Sequence, residues 1–193
     1  MSQAGLVWLK GHRGSSEYRA WQPWLSEAAK LVKRFDRELS DDPFAYNETA
    51  SVSLLASAAA WVGYLSLAEF GVTKGHRKDR RVGADGRCDL WIAGRTTTWG
   101  FEFKQATIHN RLTEAVPLRA MEDAMDCAKC LRSDEADERV AGLIVSLYWL
   151  DEEDELEDAR EALRDFAEDR DFAWEIPAPG EASGDTFLFF DFV

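Results

Sequence analysis

Hydrophobic residues recur at helical spacing between Ser15 and Ser40: Trp24, Leu25, Ala28, Leu31, Val32 and Phe35 share one side of a 3.6-residue repeat. Ser15 or Ser16 can cap that helix, Glu17 suits its first turn, and Pro23 predicts a kink or a restart. The segment Ser40-Asp-Asp-Pro-Phe44 breaks the pattern. A second helix, apolar nearly all round, is expected from the capping residue Asn47 to Phe70, where Gly71 ends it. Residues 72–87 are basic and irregular, opening at most with a short strand. Beyond them the period drops to two. Cys88–Ile92 reads as a strand, Ala93-Gly-Arg95 as a turn and Thr96–Lys104 as a second strand, together an antiparallel hairpin. A helix follows over 113–132, with Thr113 capping, Pro117 in its first turn, and Leu118, Met121, Met125 and Ala128 inward. The run Val140–Leu150 predicts a central strand covered on both faces. An acidic helix over 152–169 turns Leu156, Ala159, Leu163 and Phe166 inward, and strands near 172–176 and 186–192 complete the chain. The order α-α-β-β-β-α-β-α-β-β is that of an α/β protein with a mixed sheet, and 193 residues suit one domain.

The hairpin carries the chemistry. Residues two apart on a strand share a face, so Glu102 and Lys104 project together while Phe101 and Phe103 point into the core. Asp89 lies on the partner strand, with Leu90 and Ile92 on the core side. Paired strands are ~4.8 Å apart, which brings Asp89 and Glu102 within one ion's reach if the turn is near Gly94. Glu69, at the expected end of the second helix, is a candidate third carboxylate. Of the seven lysines, only Lys104 has an acid two residues before it. Two carboxylates and an ammonium on adjacent strands suit a hard cation such as Mg²⁺ or Mn²⁺, which takes oxygen ligands and shares them with a substrate phosphate. The plain alternative is a solvated sheet face with a cross-strand lysine–acid pair worth at most ~1 kcal/mol.

The ordered set Glu69, Asp89, Glu102-Phe-Lys104 resembles the PD-(D/E)XK nuclease superfamily, the restriction-endonuclease-like fold, over residues of about 47–150. Cys88 stands where the name-giving proline would be, and Gln105 directly follows the lysine, as glutamine follows it shortly in a subset of that family. The resemblance implies an α-β-β-β-α-β core, with an N-terminal helical extension and an acidic C-terminal α/β extension. It implies Asp89 and Glu102 as metal ligands, Lys104 as the lysine orienting a metal-activated water, and Glu69 as the helical acid. The activity expected from it is hydrolysis of phosphodiesters in DNA; RNA stays open, because such a site acts on the phosphate.

Charge qualifies that expectation. Residues 1–110 hold 15 Lys+Arg against 12 Asp+Glu, whereas 111–193 hold 8 against 24, and the whole chain is at −13. An acidic chain binds a polyanion only through a local basic patch. Lys74, Arg77, Lys78, Arg80, Arg81 and Arg87, just before Asp89, are the candidate phosphate contacts, with His109-Asn-Arg111 as a possible addition. The competing reading keeps the scaffold without activity and uses the acidic C-terminal region to bind a basic protein or imitate nucleic acid. With no separate DNA-reading module in the sequence, specificity would come from a homodimer or a partner. Cys127-x-x-Cys130 has metal-like spacing but no second pair to complete a zinc site. Three cysteines, no secretory layout at the N-terminus, and an apolar stretch near 50–70 broken by Ser51, Ser53, Ser57, Ser66 and Glu69 lead to the expectation of a reduced, cytoplasmic protein without a membrane span.

Overall fold

A computed structural model describes residues 5–75, 83–108, 112–113, 115–150 and 152–193. Its sheet has seven strands in the order β1-β6-β7-β5-β4-β3-β2, mixed because β4 and β5 run parallel while every other neighbouring pair is antiparallel. The strands are β1 (Val7–Lys10), β2 (Leu65–Gly75), β3 (Gly83–Ala93), β4 (Thr98–Thr107), β5 (Glu138–Ser146), β6 (Phe172–Ile176) and β7 (Thr186–Phe192). Helices α1 (Ser16–Leu39) and α2 (Glu48–Trp61) pack on one face, and α3 (Ala115–Ala128) and α4 (Glu153–Ala167) on the other. Two cores result. Trp21, Trp24 and Leu55 meet Phe101, Phe103 and Phe190 on the first face; Met121 and Leu163 meet Leu143, Phe187 and Phe189 on the second. No helix among the described residues is long and apolar enough to cross a membrane.

Local chemistry sets the ends of the elements. The Ser15 hydroxyl accepts the Tyr18 amide at 3.0 Å to start α1, which runs through Pro23 without a restart and ends on Ser40 in the left-handed region. The Asn47 side chain caps α2 by accepting the Ala50 amide. This helix stops at Trp61, well short of Phe70, because Gly63 takes a φ of 89° and the chain turns into β2. The misreading has a physical cause. β2 is an edge strand on which Leu65 and Leu67 are 73% and 52% exposed, so its apolar residues do not alternate inward as a half-buried strand's should. Glu69 therefore stands on a strand, not on a helix. Leu118 is likewise exposed rather than inward. β1, which pairs with β6, is a short strand absent from the periodicity reading.

On the opposite side of β4 from Glu102 and Lys104, the ring of Phe103 lies across Gly142 of β5, where a Cβ would meet it at 2.3 Å. This close approach seats the β4 strand that carries both polar residues.

Candidate active site

The site forms where two strands part. β3 pairs with β4 only from Leu90↔Phe101 to Ala93↔Thr98, yet it stays paired with β2 down to Gly83↔Gly75. The β2–β3 ribbon therefore leaves β4 just past Leu90, and the edge of β4 loses its neighbour. Buried backbone groups need partners, and here charged side chains supply them. Asp89 Oδ2 accepts the Phe103 amide at 2.7 Å, Lys104 Nζ donates to the Phe103 carbonyl at 2.7 Å, and Glu48 Oε2 accepts the Gln105 amide at 3.1 Å.

These contacts hold Asp89, Lys104 and Glu48 at one fork. The buried Glu102 feels the negative charge of Asp89, and Asp89 feels the positive charge of Lys104 and Lys74. Glu102 Oε2 pairs with Lys74 Nζ at 2.7 Å, whereas its Oε1 is buried without a hydrogen-bond partner among the described residues. Burial, followed by the charge of Asp89, pushes the Glu102 carboxyl up to about 7. Burial also raises Asp89 and Glu48. For Lys104 burial works against the charged form, but Glu48 and Asp89 outweigh it and lift the ammonium's pKa. Lys104 is thus a cation at neutral pH.

Glu48 is the residue the sequence reading missed. It lies in the first turn of α2, with Oε1 3.4 Å from Lys104 Nζ, and Asp89 adds to its electrostatic environment. Glu69 stands on β2 at a φ of 53°, 3.5 Å from the exposed Arg87, and its negative charge also reaches Asp89. Glu48 is the carboxylate that α2 brings to the fork. A signal for it was present, since Glu48 is the sole carboxylate between Asp42 and Glu69. Gln105 locks the helix to the strand from the other side, donating to the Phe44 carbonyl and accepting from the Ser51 hydroxyl, both at 2.8 Å.

The basic segment divides. Lys74 is not a loop cation but a strand residue. A bridge to Leu131 and the Gly75 amide on the Cys130 carbonyl fix it, and its stem passes so close to Gly86 that a Cβ there would meet it at 2.8 Å. Its ammonium is committed to Glu102. Arg87 is exposed on β3, whereas Arg77, Lys78, Arg80, Arg81 and His109-Asn-Arg111 lie outside the described residues. Cys88 is buried, donates weakly to the Leu90 and Phe101 carbonyls, and has its thiol pushed up to about 12 by burial and then by Glu102, so it is no nucleophile.

Among the described residues, no group of three or more His, Cys, Asp and Glu side chains surrounds one point as a complete metal cage would, at Cys127 and Cys130 or elsewhere. The fork offers a smaller set: hard carboxylate oxygens from Asp89 and Glu102, of which Glu102 Oε1 is buried and has no partner among the described residues. Such a set suits an ion that keeps waters and shares its ligands with a phosphate. No family model matches the chain, and no curated protein or solved structure matches it either.

Proposed function

We propose that this chain is a divalent-cation-dependent phosphodiesterase acting on DNA, with α2-β2-β3-β4-α3-β5 as a restriction-endonuclease-like core. The fork carries the reading: the buried Glu102, the half-buried Asp89 and a lysine held cationic come close where β3 leaves β4, and one Glu102 oxygen has no hydrogen-bond partner among the described residues. Burial alone does not set Glu102 apart, since the arginine-paired Asp185 is as buried; its single lysine partner does.

Asp89 and Glu102 would hold Mg²⁺ or Mn²⁺, which when bound makes a water more acidic and offsets charge on the phosphate. Lys104 is a donor rather than a base: it orients the attacking water and stabilises the negative charge that grows on the phosphoryl oxygens. Glu48, raised by burial and beside that ammonium, is placed to accept the proton the water gives up. The Phe103 and Gln105 amides fix the carboxylates of Asp89 and Glu48, so the fork is preorganised by the backbone it exposes.

One contact favours the second reading, an inactive nuclease-like scaffold that binds a partner. The Lys74–Glu102 pair occupies an oxygen that a cation would need. Incubation of the protein with single- and double-stranded DNA and RNA, in Mg²⁺, Mn²⁺ or EDTA, separates the two. Cleavage of DNA that needs the cation supports the enzyme, and intact nucleic acid under every condition supports the scaffold.

A further inference from the structure

A groove of about 550 Å³ opens between α4 and the start of α3, lined by none of the fork residues. Leu112, Pro117 and Leu118 form one wall. The other wall is a single face of α4, where Asp158, Glu161 and Asp165 follow at helical spacing around Ala162 and Phe166, continued by Asp169 just past the helix end. Leu118 is 48% exposed there, an apolar side chain that no described element covers. Arg170 also lines the groove, but its guanidinium stacks over the Phe166 ring at 4.6 Å and pairs with Asp191 at 2.7 Å.

α4 is divided by charge. Its arginines are used on another side, Arg160 toward Asp185 and Arg164 toward Glu175. The four groove acids form no ion pair with any described residue. An apolar floor under a wall of one sign has a definite complement. A nucleic acid is repelled by it, and an uncharged hydrophobic segment leaves the acids without partners.

The geometry points to this groove as the docking site for a basic amphipathic segment of a protein partner. Its apolar side chains would rest on Phe166, Pro117 and Leu118, and its Lys or Arg residues would face Asp158, Glu161, Asp165 and Asp169. The volume lies within the range of ordinary ligand clefts, and a helix laid in a groove is a recurrent mode of peptide binding. The inference does not depend on cleavage at the fork.

The test uses the full chain and a fluorescent helical peptide with leucines on one face and lysines on the other, read by anisotropy. A leucine–glutamate peptide and a lysine–serine peptide serve as controls. Binding of the leucine–lysine peptide alone is expected. Affinity should drop about tenfold or more in Glu161→Lys/Asp165→Lys and severalfold in Leu118→Ser, but change by less than about twofold in Glu153→Lys/Asp154→Lys, which reverses the same charge outside the groove. Glu161→Gln/Asp165→Asn gives the same direction without added repulsion. Equal loss in groove and control reversals, equal binding of the lysine–serine peptide, or no binding overturns the proposal. Self-association that the groove reversals abolish would also overturn it, by making a second copy the occupant.

Discussion

Two parts of the sheet bury carboxylates beside cations, and they complete the job differently. Beneath α4, both oxygens of Glu175 receive Arg164, and the oxygens of Asp185 receive Arg160 and the Ala178 amide. At the fork, Glu102 meets one lysine through one oxygen, and its other oxygen has no partner among the described residues. Arginine forks satisfy a carboxylate geometrically, whereas a lysine is a single charge on a flexible stem. The first arrangement holds the structure together. The second keeps a carboxylate raised in pKa and incompletely satisfied, a condition that folding alone does not select and that reaction sites commonly retain.

The contrast breaks most sharply by substitution at the fork. Asp89→Asn should fold and lose cation-dependent cleavage by about 10³-fold, comparable to removing one charge-stabilising group, with weaker Mn²⁺ binding by calorimetry. A change in stability with activity per folded molecule intact would make Asp89 structural.

A second separation is by pH. Glu102 has its pKa raised from 4.5 to about 7 in the folded state. The folded protein therefore binds the extra proton, so this contribution is full below about pH 4.5 and lost as pH rises through about 7. Urea titrations in EDTA should show stability falling over that interval by on the order of 3 kcal/mol, and Glu102→Gln should flatten the fall. Arg164→Ala belongs to the other region. It should cost about 2 kcal/mol by denaturation, since Glu175 stays buried and loses its charged donor, while cleavage per folded molecule is unchanged.

The smallest expected loss of cleavage sharpens the assignment of the helical acid. Glu48→Gln should lower the cleavage rate about 10²-fold, the low end for a lost proton acceptor, and Glu69→Gln by less than about twofold. The reverse order would return the role to the strand.

The hairpin was legible in the sequence because its two-residue period, the Gly94 turn and the phenylalanines of β4 agree on which face is core. So was the face shared by Glu102 and Lys104. The helical acid was not, because the choice of Glu69 depended on extending α2 through an edge strand whose exposed leucines imitate an apolar helix. The parting of β3 from β4 leaves no periodic trace, since it removes pairing without altering alternation. Lys74 read as one cation of a basic run; its commitment to Glu102 depends on a bridge to Leu131 that joins distant residues.

The most direct measurement is the rate of duplex DNA cleavage by the wild-type chain and by Lys104→Ala, each with Mn²⁺ and with EDTA, alongside circular dichroism. The account predicts cation-dependent cleavage by the wild type alone, with unchanged folding of the variant. Cleavage by Lys104→Ala at the wild-type rate would contradict it.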